Sequence, residues 1–342
     1  MPKKVSVIVL NWNGKNFLKN CLDSLQKVTY SPLEIIVVDN HSTDGSAEFV
    51  KKNYPKFVLI ENKKNYGFAE GNNIGFYASK GDCVLFLNND TVVTPSFLEP
   101  LMADFREDSK IGCLQPQIRV LKDKDLLDEV GSFMTFTGFL YHYGFRKKYN
   151  QEKYREMREI FSAKGACIIF PRKILKKIGL FDKDFFIFFE ETDLCFRVWL
   201  SGHKVVYEPK SVIYHVVGGD TSSSDKYRYE RRINLTFKNM NCSYLKNFGT
   251  RNLIMVYPIF LSVQMCIFLL FLIQLRFNLL RAIIKAYWWN IINFKTTLKK
   301  RAHVQKSIRK VPDSEINKFI KLTPRISYYY FSLFKTTQEY ND

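Results

Sequence analysis

The sequence lacks most of the short signatures that would announce a function outright. No CxxC pair occurs, and the seven cysteines, at positions 21, 83, 113, 167, 195, 242 and 266, are odd in number and scattered. That pattern excludes a disulfide framework and a thiolate zinc site, and it fits reduced thiols in the cytosol. No GxGxxG follows the first apolar run and no GxxxxGK[ST] occurs anywhere, so the glycine-rich phosphate cradles of dinucleotide-binding and P-loop proteins are missing. No G-X-Y period or heptad array is present, which removes collagen and coiled coil. The opening Met-Pro-Lys-Lys-Val runs straight into a strand pattern without an apolar leader, so no signal peptide is expected. Acid is scarce in one part of the chain only. Residues 226–342 hold 21 basic and 5 acidic residues, whereas residues 1–225 hold 31 and 28.

What is present is ordinary in bulk. The 342 residues are 46% apolar and 25% charged, with a formal net charge of +19, so wholesale disorder is excluded. The length suits one large or two modest domains. The total charge alone points to nucleic acid or an anionic membrane surface. Its distribution decides between them: the globule is nearly neutral, which argues against nucleic acid, and the excess sits in the C-terminal part.

Along the first 120 residues, short apolar runs alternate with helical patterns. Val5–Leu10, Glu34–Val38, Phe57–Glu61 and Cys83–Leu87 read as strands. Helices are predicted after Asn11-Trp-Asn-Gly14, after Ser42 and Asp44, over about 68–79, and from Pro95. Such alternation predicts an α/β fold with a mostly parallel sheet. Asn11, Asp39-Asn40 and Asn88-Asn89-Asp90 all fall at the carboxyl ends of strands, the edge at which open α/β sheets bind ligands. With no phosphate cradle, anionic phosphate would need a metal. Asp90 is the natural hard oxygen ligand for Mg2+ or Mn2+.

Residues 121–160 break the rhythm and read as an inserted flap or acceptor-side region. Order returns with a strand at Gly165–Phe170 and a helix opened by Pro171 at its first position. The aromatic run Phe185–Phe189 then leads into Glu190-Glu191-Thr192-Asp193 at a helix start. These acids complement the helix dipole. They also follow a run that reads as buried, where a carboxylate rises in pKa as a general base requires. His215 ends a later strand before Val216–Ser224, a Gly/Ser-rich loop, which is a good place for a metal ligand.

These residues resemble the family 2 glycosyltransferases of GT-A fold, especially their rhamnosyltransferase-like branch. The resemblance covers about residues 3–220. It rests on Val7–Asn13, Val37-Val-Asp-Asn-His-Ser-Thr-Asp44, Asn65-Tyr-Gly-Phe-Ala-Glu-Gly-Asn-Asn-Ile-Gly75, Leu87-Asn-Asn-Asp90, and Gly179-Leu-Phe-Asp182 through Glu190–Arg197. It implies a GT-A-type Rossmann-like sheet with flanking helices and roles for individual residues. Asn11 and Asp39 would line the base and ribose pocket. Gly67, Asn72, Asn73 and Asn89 would meet the nucleotide sugar. Asp90 would bind the divalent metal, with His215 completing its coordination. Glu191, favoured over Glu190 by register, would deprotonate the acceptor hydroxyl for an inverting attack. Glu190, Asp193 and Arg197 would lie on the acceptor side. Two departures stand out: Asn88 replaces the first acid of the metal motif, and Glu190-Glu191 replaces an ED pair.

The expected layout is a GT-A catalytic domain at 1–225, its nucleotide-sugar half about 1–115 and its acceptor half about 116–225. A basic helical membrane-association region follows at 226–342. Its Leu253–Leu275 carries no formal charge over 23 residues, and as one helix it would be about 34 Å long. Arg281, Lys285 and the Tyr287-Trp-Trp289 belt follow, and then a cationic run at 295–310. Cytosolic nucleotide sugar and the basic flank both favour the inner face of the membrane. A hairpin or an in-plane arrangement therefore fits better than one straight span. The partners expected are a nucleoside-diphosphate sugar, a lipid-linked or glycan acceptor and an anionic membrane surface; self-association into a homo-oligomer is left open. Two competing readings are a sugar-nucleotide pyrophosphorylase, for which Asn11–Gly14 is the wrong loop, and a non-enzymatic basic membrane binder.

Overall fold

In the computed structural model, which describes residues 3–216 and 225–322, the strand–helix alternation is present from the start. The N-terminal elements are β1 (Val5–Asn11), α1 (Lys15–Leu25), β2 (Leu33–Asp39), α2 (Ser46–Asn53), β3 (Val58–Glu61), α3 (Gly67–Ala78), β4 (Cys83–Asn88), β5 (Thr91–Val93) and α4 (Leu98–Glu107). The middle of the chain forms β6 (Ile111–Val120), β7 (Asp123–Glu129), β8 (Gly131–Thr135), β9 (Leu140–Tyr143), β10 (Arg158–Glu159), β11 (Cys167–Pro171), α5 (Arg172–Ile178), α6 (Glu190–Leu200) and β12 (Lys204–His215). The remainder is α7 (Asp225–Asn247), α8 (Thr250–Met255), α9 (Tyr257–Ile273), α10 (Phe277–Ile292), α11 (Phe294–His303), α12 (Asp313–Asn317) and β13 (Ile320–Lys321).

The main sheet runs β10-β12-β6-β11-β4-β1-β2-β3, with β5 added to β12 and β7 to β6. The runs of β1, β2 and β4 are apolar on both faces because both faces are covered. Val5, Val7 and Val9 pack with Leu18, Leu22 and Leu101 on one side. Ile8, Ile36, Val38 and Phe86 pack with Phe76, Phe170 and Leu194 on the other. Parallel register sets Asn11 beside Asp39 and Leu10 beside Asn88, so the polar strand ends share one edge.

Residues 121–160, read from the sequence as an inserted flap or acceptor-side region, contain regular strands. β7 extends the main sheet, and β8, β9 and β13 form a second, three-stranded sheet. Tyr141 and Tyr154 are buried in the core rather than displayed. Two helix starts also differ. Pro171 ends β11 and caps α5 instead of opening it, and α4 begins at Leu98, three residues after Pro95.

The apolar stretch after residue 250 runs through two consecutive helical segments. It breaks at Val256 into α8 and α9, where Pro258 cannot donate to the preceding turn. The 17 residues of α9 span about 26 Å, short of a bilayer core of about 30 Å. The combined stretch Thr250–Ile273 is still long and apolar enough to cross a membrane, and 28% of its most apolar part is buried. α9 turns back through Gln274–Arg276 into α10, and both pack on α7 around Phe237, Ile267, Phe271 and Ile283. One face of α9, formed by Phe260, Gln264, Ile267 and Phe271, is sunk into protein. Gln264 accepts from Tyr287 Oη at 2.5 Å and from Asn241 Nδ2 at 3.0 Å.

Candidate active site

The shared strand edge builds a buried polar chain. Asn11 Nδ2 donates to Asp39 Oδ2 at 3.0 Å, and Asn11 Oδ1 accepts from Asn89 Nδ2 at 2.6 Å. Asp39 Oδ1 accepts the Ser42 N–H at 2.8 Å. Gly14 lies so close that a Cβ there would stand 1.9 Å from Asn89 Nδ2, so any side chain would break the Asn89–Asn11 bond. Asn40 braces the following segment: its Nδ2 donates to Gly67 O and its Oδ1 accepts the Tyr66 N–H. Gly67 has φ +79°, and a Cβ would meet Phe186 O at 2.6 Å.

Sheet pairing carries the next two groups together. β5 runs antiparallel to β12 with His215 opposite Thr91, which sets the imidazole beside Asp90. His215 Nε2 stands 3.3 Å from Asp90 Oδ1, yet that oxygen is buried without a hydrogen-bond partner. On the far side, His215 Nδ1 meets Asp128 Oδ2 at 2.7 Å. Burial works to lower the His215 pKa, but Asp128 and Asp90 outweigh it and push it up to about 9. Lys164 Nζ pairs with Asp128 at 3.1 Å and Glu129 at 3.5 Å. Burial opposes ionisation of Asp128, but Lys164 and His215 prevail and hold it well below the usual carboxylate range. The loop expected after His215 lies, from 217 to 224, outside the described residues.

β11 begins beside the end of β4, with Asn88 N–H donating to Ala166 O. Gly165 therefore flanks Asn88–Asp90. A Cβ built on Gly165 would touch Glu191 Cγ and Phe68 Cζ, each at 3.7 Å. Glu191 thus lies against the segment that flanks the strand end bearing Asp90. It is partly exposed, and burial, helped by Glu129 and opposed by its own backbone N–H and Lys164, pushes its pKa up to about 7. Glu190 is buried, with Oε2 unpartnered, and burial followed by the neighbouring Glu191 raises it well above the ordinary value. The two glutamates are distinct in environment: Glu190 is enclosed, and Glu191 is partly exposed.

Three residues expected in the site sit elsewhere. Asn73 turns away from the strand edge, donating to Phe181 O and Glu70 at 3.0 Å each. Asp193 is fully buried and accepts from Arg197, Lys246, Ser243 and Asn247, which fastens α6 to α7. Arg197 spends its guanidinium on the carbonyls of Ile178, Gly179 and Leu180. Neither Asp193 nor Arg197 opens onto an acceptor groove. Asn72 bonds back to Phe68 O at 3.0 Å, and its Oδ1 is buried without a partner. Asp128, Glu129 and Lys164 escaped the sequence reading. The one signal for them was a pair of acids enclosed by Leu126, Leu127 and Val130.

A doubly wound parallel sheet with polar strand ends, joined through β11 and β6 to a second half carrying the helix-start glutamates, is the GT-A glycosyltransferase architecture. The sequence pattern described as glycosyl transferase family 2 matches residues 6–179, half of the chain, and the chain belongs to that family. It is 26% identical over 234 residues to glycosyltransferase GlyA of Streptococcus pneumoniae, covering 64% of this chain and 31% of that protein. It is 24% identical over 235 residues to the N-acetylglucosaminyl-diphospho-decaprenol L-rhamnosyltransferase of Mycobacterium tuberculosis, covering 63% and 76%. The chain therefore spans less than a third of the first relative and about three quarters of the second. In fold it is similar to GalNAc-T7 with UDP, GalNAc and Mn2+, with a TM-score of 0.58 at 20% identity, over 71% of this chain and 48% of that one. It is also similar to the mannosyltransferase PcManGT of Pyrobaculum calidifontis in complex with GDP-Man and Mn2+, with a TM-score of 0.51 at 17% identity, over 98% and 82%.

Proposed function

We propose that this enzyme moves a sugar, with inversion, from a nucleoside-diphosphate sugar to a lipid-linked or cell-surface polysaccharide acceptor. The observation that carries the reading is the placement of Glu191 against Gly165, which flanks the strand end bearing Asp90, with His215 facing Asp90. Asn11, Asp39 and Asn89 form the polar floor for the base and ribose, with Gly67, Asn72 and the α3 N-terminus beside them. Glu191 takes the acceptor proton, and the freed oxygen attacks the anomeric carbon opposite the departing diphosphate. Burial and the neighbouring Glu191 both disfavour a charge on Glu190 beside the base.

The residues present fit a divalent cation. Asp90 Oδ1 is a buried acceptor with no hydrogen-bond partner, and His215 Nε2 faces it. Among the described residues no three acidic, histidine or cysteine side chains converge as ligands. Two protein donors plus substrate phosphates are a common arrangement for Mg2+ or Mn2+. When bound, such an ion supplies neutralisation of the leaving diphosphate. Asp128 fixes the imidazole so that Nε2 points at Asp90, as carboxylates behind metal-binding histidines do.

The rhamnosyltransferase relative makes dTDP-rhamnose the first donor to try, with UDP-hexoses next. A panel of nucleotide sugars, each assayed for nucleoside diphosphate release with and without a prenyl-diphosphate-linked glycan, tests the reading. One donor is expected to show acceptor-stimulated release; release from none would remove it.

The exposed apolar residues of the C-terminal helices support a location at the cytoplasmic face of the membrane, with these helices lying in the interface. Met265, Leu269, Leu272 and Ile273 on α9, and Ile284, Trp288, Ile291 and Ile292 on α10, are exposed. Arg281, Lys285, Lys295 and Lys299 flank them and are exposed too. The other basic residues do not all serve lipid. Lys300 pairs with Asp182 and Asp184, Arg301 caps Leu245 and Phe248 carbonyls, and Arg309 pairs with Asp313. Removing 251–342 would therefore disrupt the catalytic side as well as any anchor. Point changes are the cleaner test: Trp288→Asp with Ile291→Asp should abolish co-sedimentation with anionic vesicles while nucleotide binding persists. Undiminished sedimentation would contradict the docking face.

A further inference from the structure

The segment that delivers Glu191 is held in a backbone conformation it would not choose alone. Phe186, Phe188 and Phe189 have φ of +65°, +74° and +71°, a region that residues with a Cβ rarely occupy. Such a conformation persists only where the surroundings over-determine it. Phe189 is the residue immediately before α6, and its carbonyl accepts the Asp193 N–H. Any change in this segment therefore turns the first helical residues, Glu190 and Glu191.

The surroundings that fix the segment come from the C-terminal helices. Asn239, fully buried on α7, shares its Nδ2 between the carbonyls of Phe185 at 3.0 Å, Ile187 at 3.0 Å and Phe188 at 2.6 Å. Lys238 Nζ reaches Asp184 O at 2.5 Å. From α11, Lys300 Nζ binds Asp182 Oδ1 at 2.5 Å and Asp184 Oδ2 at 2.7 Å. On the opposite side, Phe186 O accepts the N–H groups of Phe68 at 2.6 Å and Ala69 at 3.2 Å, in the first turn of α3. One strained segment thus connects α7 and α11, the donor-side helix α3 and the catalytic turn of α6.

We propose that Asn239 and Lys300 are positioning residues for the transfer step, acting through the 182–189 backbone to aim Glu191 at the acceptor hydroxyl. The C-terminal helices are on this view part of the catalytic framework. The proposal rests on the reading of Glu191 as base. Both residues act on the 182–189 segment and not on the strand-end residues, so their loss should reach the rate before it reaches donor affinity.

The test uses the full chain with two variants. Asn239→Asp keeps the size but sets a carboxylate against three carbonyls. Lys300→Met keeps most of the chain length and removes the charge from a partly exposed site. Steady-state rates are read with the donor from the panel above, and nucleoside diphosphate Kd by calorimetry. Because a misplacement of about 1 Å can cost roughly a hundredfold, kcat should fall about a hundredfold in Asn239→Asp. In Lys300→Met, which loses one of several ties, about tenfold is expected, with Kd within about threefold in both. If Asn239→Asp does not fold, Lys300→Met decides alone. A folded variant with unchanged kcat, or a loss matched by an equal loss of nucleotide affinity, overturns the proposal. Glu191→Gln in the same assay separates the two readings: if it stays active the base assignment falls, whatever the loop variants do.

Discussion

Glu191→Gln should bind nucleoside diphosphate as the unaltered enzyme does and lose sugar transfer by about a thousandfold, within the range that a general base contributes. The amide keeps the shape and both heavy atoms but cannot accept the hydroxyl proton. Glu190→Gln should be far milder. Glu190 is enclosed, and burial and the neighbouring Glu191 disfavour its charged form, so an amide there disturbs the site less. The sign of the pH dependence follows from the same environment. As the proposed base Glu191 would act as the carboxylate, and burial pushes its pKa up to about 7. Activity should therefore rise with pH to a plateau above neutrality and fall about tenfold per unit well below it. A pH–rate profile flat from 5 to 8, or a Glu191→Gln variant active within a few-fold, would take the base role from this residue.

Asp90→Ala should be the second severe lesion. It removes the carboxylate that faces His215 and leaves the imidazole as the sole protein donor on that side. Mn2+ affinity in the presence of nucleoside diphosphate, followed by titration calorimetry, should drop below detection, and turnover with it. Asp128→Asn tests the support behind the site. The amide cannot hold the imidazole as a carboxylate does, and loss of such a partner typically weakens metal binding about 10–100-fold. Lys164 would then face Glu129 alone. If Asp90→Ala bound Mn2+ as tightly as the unaltered chain, the cation would have to be held elsewhere.

Much of this site is legible along the chain because its residues terminate strands. Asn11, Asp39 and Asn88–Asp90 follow apolar runs, and the parallel register then brings them to one edge without further information. Glu191 is legible because an aromatic run and a helix start bracket it. Asp128 and Lys164 are not, since their meaning depends on the end of β7 meeting the segment before β11, 36 residues onward. Asp193 misleads for a related reason. A carboxylate at a helix start looks available, but α7, some fifty residues onward, brings Ser243, Lys246 and Asn247 to neutralise and bury it. Asn73 lies in a run of small polar residues on α3, and only the packing of α3 against Phe181 shows that it faces away from the nucleotide edge. The basic C-terminal part divides in the same way. Net charge counts Lys300 and Lys299 alike, but α11 turns the first toward Asp182 and leaves the second exposed.

The account stands on direct displacement at the anomeric carbon, with Glu191 and the leaving diphosphate on opposite sides of the sugar. The anomeric configuration of the purified product, read from its one-bond carbon–proton coupling by NMR, tests that most directly. Inversion relative to the nucleotide sugar is expected. A product that retains the donor's configuration would contradict it.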